Sequence, residues 1–170
     1  MKNKQQKQIR FLTEAGMIAA LYVALTGLSA LLGLSSGAIQ LRLSEVLCVL
    51  PVFTASAIPG VSVGCLIANL LFGGSIYDIL FGSLATLIGA LIAYWMRNRR
   101  YLAFLPTVLS NMLIIPAVLI VSGFGPWGMF WWFSLTVGIG EVLSCGVLGN
   151  LLIRYLDRHP ATSAALFGVK

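Results

Sequence analysis

Two charged residues stand at the start of a strongly apolar segment, in a chain that has few charges elsewhere. Arg42 and Glu45 lie three residues apart in the stretch AIQLRLSEVLCVLPVF, so on a helix they share a face. An arginine and a carboxylate in this arrangement either pair with each other or present complementary groups to a polar ligand. We therefore treat both as candidate ligand-binding residues, with an intrahelical ion pair as the alternative.

Other polar residues also lie within apolar segments. A charged side chain at a bilayer centre costs about 2.5–3.5 kcal/mol on insertion scales, so it usually faces a cavity or a partner. Glu141 has no helix-capping role to explain it, whereas Asp78 can complement a helix dipole. Asn69 and Asn111 suit either ligand contacts or interhelical hydrogen bonds, and Trp131 suits either ring stacking or interfacial anchoring. We predict one chamber, open to the outside, lined by Arg42, Glu45, Asn69, Asp78, Asn111, Trp131 and Glu141.

The composition is that of an integral membrane protein. The chain has 170 residues, of which 59% are hydrophobic and 9% charged, and its mean hydropathy is +0.96. Soluble domains carry about 25% charged residues. The net charge of +6 does not indicate nucleic-acid binding, because most basic residues form clusters beside apolar segments, the pattern that sets membrane topology.

The chamber must be positioned by membrane-spanning helices, each of which needs about 20 mostly apolar residues. Two of the apolar segments are short and meet at the stretch TASAIPG, which contains the turn-favouring Pro59 and Gly60, so five spans is the alternative to six. The six segments are 11–33, 42–56, 58–73, 76–96, 102–122 and 128–155.

The basic clusters decide the predicted topology. A six-span arrangement places all three clusters on one side, which the positive-inside rule assigns to the cytoplasm. We predict an all-α protein with both termini cytoplasmic and a single transmembrane domain over 1–170, in which 1–10 is a basic segment and 157–170 a tail. The clusters are Lys2, Lys4, Lys7 and Arg10; Arg97, Arg99 and Arg100; and Arg154 with Arg158.

The sequence lacks several motifs that would indicate catalysis. No GxxxxGK[ST] loop for ATP, HExxH zinc motif or CxxC pair is present, and His159 is the only histidine. The three cysteines lie in apolar segments without metal-ligand spacing. We expect no cofactor, no metal and no enzymatic activity.

The stretch AIQLRLSEVLCVLPVFTASAIPGVSVGCLIANLLFG, followed by DILFGSLATLIGALIAY, resembles the QueT family. These proteins are substrate-binding subunits (S components) of energy-coupling factor (ECF) transporters for queuosine precursors. The resemblance extends over about 15–155. It is carried by Gln40, Arg42, Ser44, Glu45, Pro51, Pro59, Gly60, Gly64, Cys65, Asn69, Asp78 and Gly82.

The resemblance implies a six-helix bundle in the prokaryotic plasma membrane with an outward-facing pocket. It also implies three partners, a transmembrane coupling subunit and two cytoplasmic ATPase subunits. An AxxxA pattern at Ala15 and Ala19 would dock the coupling subunit, with helix packing inside the chain as the alternative. The ligand would be a 7-deazaguanine such as preQ0 or preQ1, or queuine. Glu141 or Glu45 would accept its guanine-like edge, and Asp78 an aminomethyl cation.

Three other functions remain open from the sequence. The chain could bind another vitamin-like heterocycle as an S component, act as an intramembrane enzyme that uses the same acids, or transport its ligand alone by ion coupling. Product formation by the purified protein would indicate the enzyme. Uptake without the coupling module would indicate the stand-alone transporter.

Overall fold

The computed structural model describes residues 2–34, 41–72 and 75–167, without the side chains of residues 2, 3 and 165. Gln40 of the QueT-like block lies outside them. Within these ranges all regular structure is helical, so the predicted all-α class is confirmed. The α-helices of these ranges are α1 Lys2–Leu31, α2 Ala57–Phe72, α3 Ser83–Trp95, α4 Leu105–Val121, α5 Phe130–Glu141, α6 Gly149–Arg158 and α7 Pro160–Phe167.

Shorter helical segments extend or join several α-helices, and Met96–Leu102 is interrupted at Arg99, whose φ of −122° and ψ of 56° are not helical. A π-helical segment, Asp78–Gly82, leads into α3, and a second, Val142–Leu148, joins α5 to α6. Two 3-10 helical segments are Met96–Leu102, which follows α3, and Trp127–Met129, which precedes α5. The joined helices form two of the three stretches below that are long enough to cross a membrane.

Three helical stretches have the length and apolarity of membrane spans: Lys4–Leu31, Asp78–Leu102 and Trp127–Arg158. Leu43–Val52, Ala57–Phe72 and Leu105–Val121 are shorter apolar helices. The protein is therefore a multi-pass membrane protein. The count of six spans and the cytoplasmic location of both termini stay predictions.

The segment that begins with the arginine–glutamate pair is a 3-10 helix, Leu43–Val52. Pro51 lies inside this helix and has no backbone N–H to donate. A 3-10 helix rises about 2.0 Å per residue, so these residues cover about 20 Å rather than the 15 Å of an α-helix. Its period of three residues places Glu45 and Cys48 in one row, and both are buried.

Close packing of α1 on α2 depends on two glycines. A Cβ added to Gly60 would lie 3.0 Å from the carbonyl oxygen of Ala15, and one added to Gly64 would lie 3.1 Å from the Cα of Ala19. Ala15 and Ala19 therefore lie in the seam between α1 and α2, as in the packing alternative considered from the sequence. Docking of a coupling subunit at these two residues stays a prediction.

Polar and aromatic contacts connect the helices at the end of the bundle that carries the basic residues. Glu14 of α1 accepts hydrogen bonds from Arg10 at 2.8 Å and from Ser56, which precedes α2, at 2.8 Å. Arg100 donates to Asp157 at 2.7 Å. The predicted tail contains α7, which folds back so that the ring of Phe167 stacks on Phe53 with centroids 6.2 Å apart.

The α1–α2 seam leads to a prediction about stability. Gly64→Ala should destabilise the protein by about 1–3 kcal/mol, because a methyl group there meets backbone atoms that cannot rotate away. Gly16→Ala is the matched control on α1, since no atom lies within 4 Å of the position of its Cβ. Thermal unfolding in detergent measures both. Equal melting temperatures for the two variants would show that the seam tolerates a side chain.

Candidate ligand-binding site

Two adjoining cavities lie among the helices. The wide cavity has a volume of about 190 Å³ and the narrow cavity about 20 Å³, and Arg42 and Ile115 contribute to the walls of both. The wide cavity lies at the end of the bundle where α1, α2 and α4 end and the π-helical segment Asp78–Gly82 begins. The narrow cavity is deeper, because Asn111 in its wall is about 16 Å along α4 from Ser122 in the wall of the wide cavity.

Six of the seven candidate residues line one or both cavities. Arg42, Asn69 and Asp78 line the wide cavity, and Arg42 also lines the narrow one. Glu45, Asn111 and Glu141 line the narrow cavity. Trp131 is among the lining residues of neither cavity and is 76% exposed, which favours the interfacial-anchor alternative. The assignment of the six to ligand binding stays a proposal.

Arg42 connects three helices rather than pairing with its neighbour in sequence. Its guanidinium lies 3.5 Å from the carboxylate of Asp78 and donates to the side-chain oxygen of Asn69 at 3.3 Å. Asn69 in turn donates to the backbone carbonyl of Asp78 at 3.1 Å. The contact between Arg42 and Glu45 is through the backbone, where the N–H of Glu45 donates to the carbonyl of Arg42 at 3.2 Å.

The carboxylate of Glu45 is held on both oxygens. Tyr22 of α1 donates its hydroxyl to Oε1 at 2.5 Å, and the thiol of Cys48 donates to Oε2 at 3.1 Å. Tyr22 is 1% and Glu45 2% exposed. A buried carboxylate needs such donors because burial without them is costly. Glu45 is thus fixed in orientation before any ligand arrives.

Glu141 is held on one oxygen only. Asn111 of α4 donates to its Oε1 at 2.7 Å, while Oε2 is buried and has no hydrogen-bond partner among the described residues. The residue is 8% exposed. Five buried side-chain atoms of the described residues lack a hydrogen-bond partner, and Oε2 of Glu141 is the one among them whose residue lines either cavity. Oε2 of Glu141 is therefore an acceptor that the site can offer to a bound ligand.

The backbone departs from α-helical geometry beside both Asp78 and Glu141. Asp78 starts one π-helical segment, and Glu141 immediately precedes the other. Such segments are frequent at functional sites. The hydroxyl of Ser75 accepts the backbone N–H of Asp78 at 3.2 Å and bonds Ser122 at 2.7 Å. These bonds hold the start of the π-helical segment Asp78–Gly82 against the end of α4.

Several cavity residues were missed in reading the sequence. Phe72 and Phe124 are the aromatic residues that line the wide cavity, whereas Trp131 was the aromatic residue predicted from the sequence to bind the ligand. Ser75 could have been found, because Ser75-Ile76-Tyr77-Asp78 matches the S-x-x-[DE] capping pattern. Tyr22 gave no signal, since a tyrosine in an apolar helix is usually read as part of the core.

The arrangement suits binding more than catalysis. Gly60-Val61-Ser62-Val63-Gly64 has the GxSxG spacing of a hydrolase nucleophile, but that motif needs a strand-to-helix turn. Here it lies inside α2, and the hydroxyl of Ser62 donates to the carbonyl of Ile58 at 2.8 Å. The cavities instead bring together fixed carboxylate, amide and guanidinium groups beside apolar walls, as ligand sites do.

Tyr22 gives the site a testable dependence on α1. Tyr22→Phe should destabilise the protein by about 1–3 kcal/mol, because one oxygen of the buried Glu45 carboxylate loses its donor. The control is Tyr155→Phe, on a residue that is 52% exposed. Thermal unfolding in detergent compares the two variants. If Tyr22→Phe unfolds at the temperature of the control, the hydroxyl does not hold Glu45.

Comparison with known proteins identifies the family of this chain. A family model described as "QueT transporter" matches residues 12–158. A curated relative, "Queuosine precursor transporter QueT" of Lactococcus lactis subsp. cremoris (strain MG1363), is 39% identical over 85 residues. That match covers 50% of this chain and 49% of the relative, so the chain spans about half the length of the relative. No solved structure matches. Because the family model covers most of the chain, this protein belongs to the QueT transporter family and has a role in transport.

Proposed function

We propose that this protein is the substrate-binding subunit of an ECF importer and that it binds a queuosine precursor in the wide and narrow cavities. The family match and the name of the Lactococcus lactis relative support the class of ligand. The observation that carries the proposal is the buried Oε2 of Glu141, which lacks a partner and lines a cavity.

The cavity faces the outside in this proposal. Arg10 and Arg100 lie at the end of the bundle where Glu14 meets Ser56 and where Phe53 meets Phe167. The wide cavity lies at the other end, beside Ser75 and Ser122. Because basic residues favour the cytoplasmic side, the opening of the wide cavity is directed outward, where a ligand for import is captured.

The size and lining of the wide cavity suit a small flat heterocycle. Its volume of about 190 Å³ is below the ~300–1,000 Å³ typical of drug-sized ligands. Asp78 and the side-chain oxygen of Asn69 offer acceptors to the N–H donors of a deazaguanine ring, and the guanidinium of Arg42 beside them offers a donor to the ring carbonyl. Phe72 and Phe124 offer surfaces for stacking. Among queuosine precursors this favours a free base over a nucleoside.

The ATP-driven step is assigned to partners, a transmembrane coupling subunit and two ATPase subunits. The chain has no GxxxxGK[ST] loop to bind ATP itself. Gly16, Ala20 and Ala24 are exposed small residues of α1 spaced by four on one face, and such faces let helices approach closely in lipid. We assign docking of the coupling subunit to this face, which adjoins the predicted docking residues Ala15 and Ala19.

Ligand binding is tested on the purified protein. The wild type should bind at least one of preQ1, preQ0 and queuine in calorimetry, and Asp78→Asn should bind it roughly tenfold more weakly, because charged hydrogen bonds contribute about 1.5–3 kcal/mol. Asp157→Asn, at the other end of the bundle, should bind as the wild type does. Failure of the wild type to bind any of the three overturns the proposed ligand class. Equal affinity in Asp78→Asn removes Asp78 from the site.

Transport is tested in proteoliposomes. Uptake of the labelled precursor should require the coupling subunit, both ATPase subunits, and ATP on the side of the membrane where the ATPase subunits lie, since this chain has no ATP-binding loop. Liposomes that contain this chain alone are the control. Uptake by the chain alone, driven by an ion gradient, would contradict the subunit role and support a stand-alone transporter.

A further inference from the structure

The narrow cavity sets a limit on the shape of what reaches Glu141. A cavity needs about 10–15 Å³ of this measure to hold one water molecule, and the narrow cavity has about 20 Å³. It therefore admits one group the size of a water molecule and no ring. Since it adjoins the wide cavity at Arg42 and Ile115, a ligand that fills both has a ring in the wide cavity and an arm one atom wide in the narrow one.

The groups around the narrow cavity set the chemistry of that arm. Oε2 of Glu141 is an acceptor without a donor, and the Glu45 carboxylate retains lone pairs beyond those used by Tyr22 and Cys48. The hydroxyl of Thr86 already donates to the carbonyl of Gly82 at 3.1 Å. A group with several donors and no acceptor fits these surroundings, and a primary ammonium is such a group.

The charges facing the two cavities point the same way. Their described walls carry three carboxylates, those of Glu45, Asp78 and Glu141, and one guanidinium, that of Arg42. Arg42 lies 3.5 Å from Asp78 and is paired with it. Two buried carboxylates are thus left without a cation, and buried charges in proteins are normally paired. A ligand that brings one positive charge to the narrow cavity gives these two carboxylates a cation to share.

We propose that the narrow cavity is a subsite for a primary ammonium group, held between Glu141 and Glu45, at the end of a short unbranched arm whose ring lies in the wide cavity. The inference rests on the proposed function and narrows its ligand to a cationic base. It also reverses the roles inferred from the sequence. The ammonium arm goes to Glu141 and Glu45, and the ring edge goes to Asp78 and Asn69.

Competition binding to the wild-type protein tests the proposal without any variant. The probes are 7-aminomethyl-7-deazaguanine, which carries the ammonium arm, 7-cyano-7-deazaguanine, whose arm is neutral, and queuine, whose amine carries a cyclopentene ring. The aminomethyl base should bind at least tenfold more tightly than either of the others, in sodium and in potassium buffer alike. Tighter or equal binding of the cyano base overturns the inference. So does discrimination that depends on sodium, which would place a metal cation in the narrow cavity.

A variant assigns the discrimination to Glu141. Glu141→Gln keeps the shape and removes the charge, so it should weaken binding of the aminomethyl base at least tenfold and leave binding of the cyano base within about twofold. Glu14→Gln is the matched control, on a glutamate at the basic end of the bundle that is held by Arg10 and Ser56. Equal weakening of both bases in Glu141→Gln would show a role in structure rather than in recognition of the ammonium group, and overturns the assignment.

The two proposals fail in different ways. If none of the three bases binds to the wild type, the proposed function fails and the subsite with it. If the cyano base or queuine binds as tightly as the aminomethyl base, the protein still binds a queuosine precursor and only the ammonium subsite is wrong.

Discussion

Carboxylates buried in an apolar bundle are the constraint on which the rest of this structure depends. An apolar bundle offers no bulk water, so each acid needs donors from neighbouring helices. Glu45 takes its donors from α1 and from its own 3-10 helix, Glu141 from α4, and Asp78 from the arginine at position 42. Meeting these requirements joins most of the helices around one polar interior, and that interior is the candidate site.

Close packing makes these bonds reachable. Gly64 brings α2 against α1 beside Ala19 and Tyr22, and from this seam the hydroxyl of Tyr22 reaches Glu45. α1 therefore has three functions along its length. Its inner face packs on α2, Tyr22 orients the Glu45 carboxylate, and its exposed small residues form the surface proposed for the coupling subunit. A substitution in the seam would affect the Glu45 carboxylate, because Tyr22 both packs in the seam and donates to Glu45.

The sequence predicted the helical class, the membrane location and the family because these depend on composition, segment length and a block of particular residues. It also selected the polar residues of the cavities, since Glu45 and Glu141 are costly in lipid wherever they point. It did not predict their partners. The i, i+3 spacing left an ion pair between Arg42 and Glu45 as the alternative to ligand binding, whereas Arg42 reaches Asp78 on another helix. Contacts of this kind depend on how helices are placed in three dimensions, which local spacing does not encode.

The same limit explains the aromatic residues. Trp131 was chosen because tryptophan suits both stacking and interfaces, and hydropathy alone does not tell which side of a helix faces the cavity. Phe72 and Phe124 face it because they lie where α2 ends and just beyond the end of α4. The available volume, which no sequence pattern reports, then separates the place for a ring from the place for its arm.

The 3-10 helix Leu43–Val52 has a consequence for how this segment can vary in length. Each residue advances the chain by about 120° around the helix axis and about 2.0 Å along it. One residue gained or lost between Arg42 and Glu45 would swing the carboxylate a third of a turn, away from Tyr22 and out of the narrow cavity. The register of this stretch therefore admits no insertion or deletion that keeps the chamber intact.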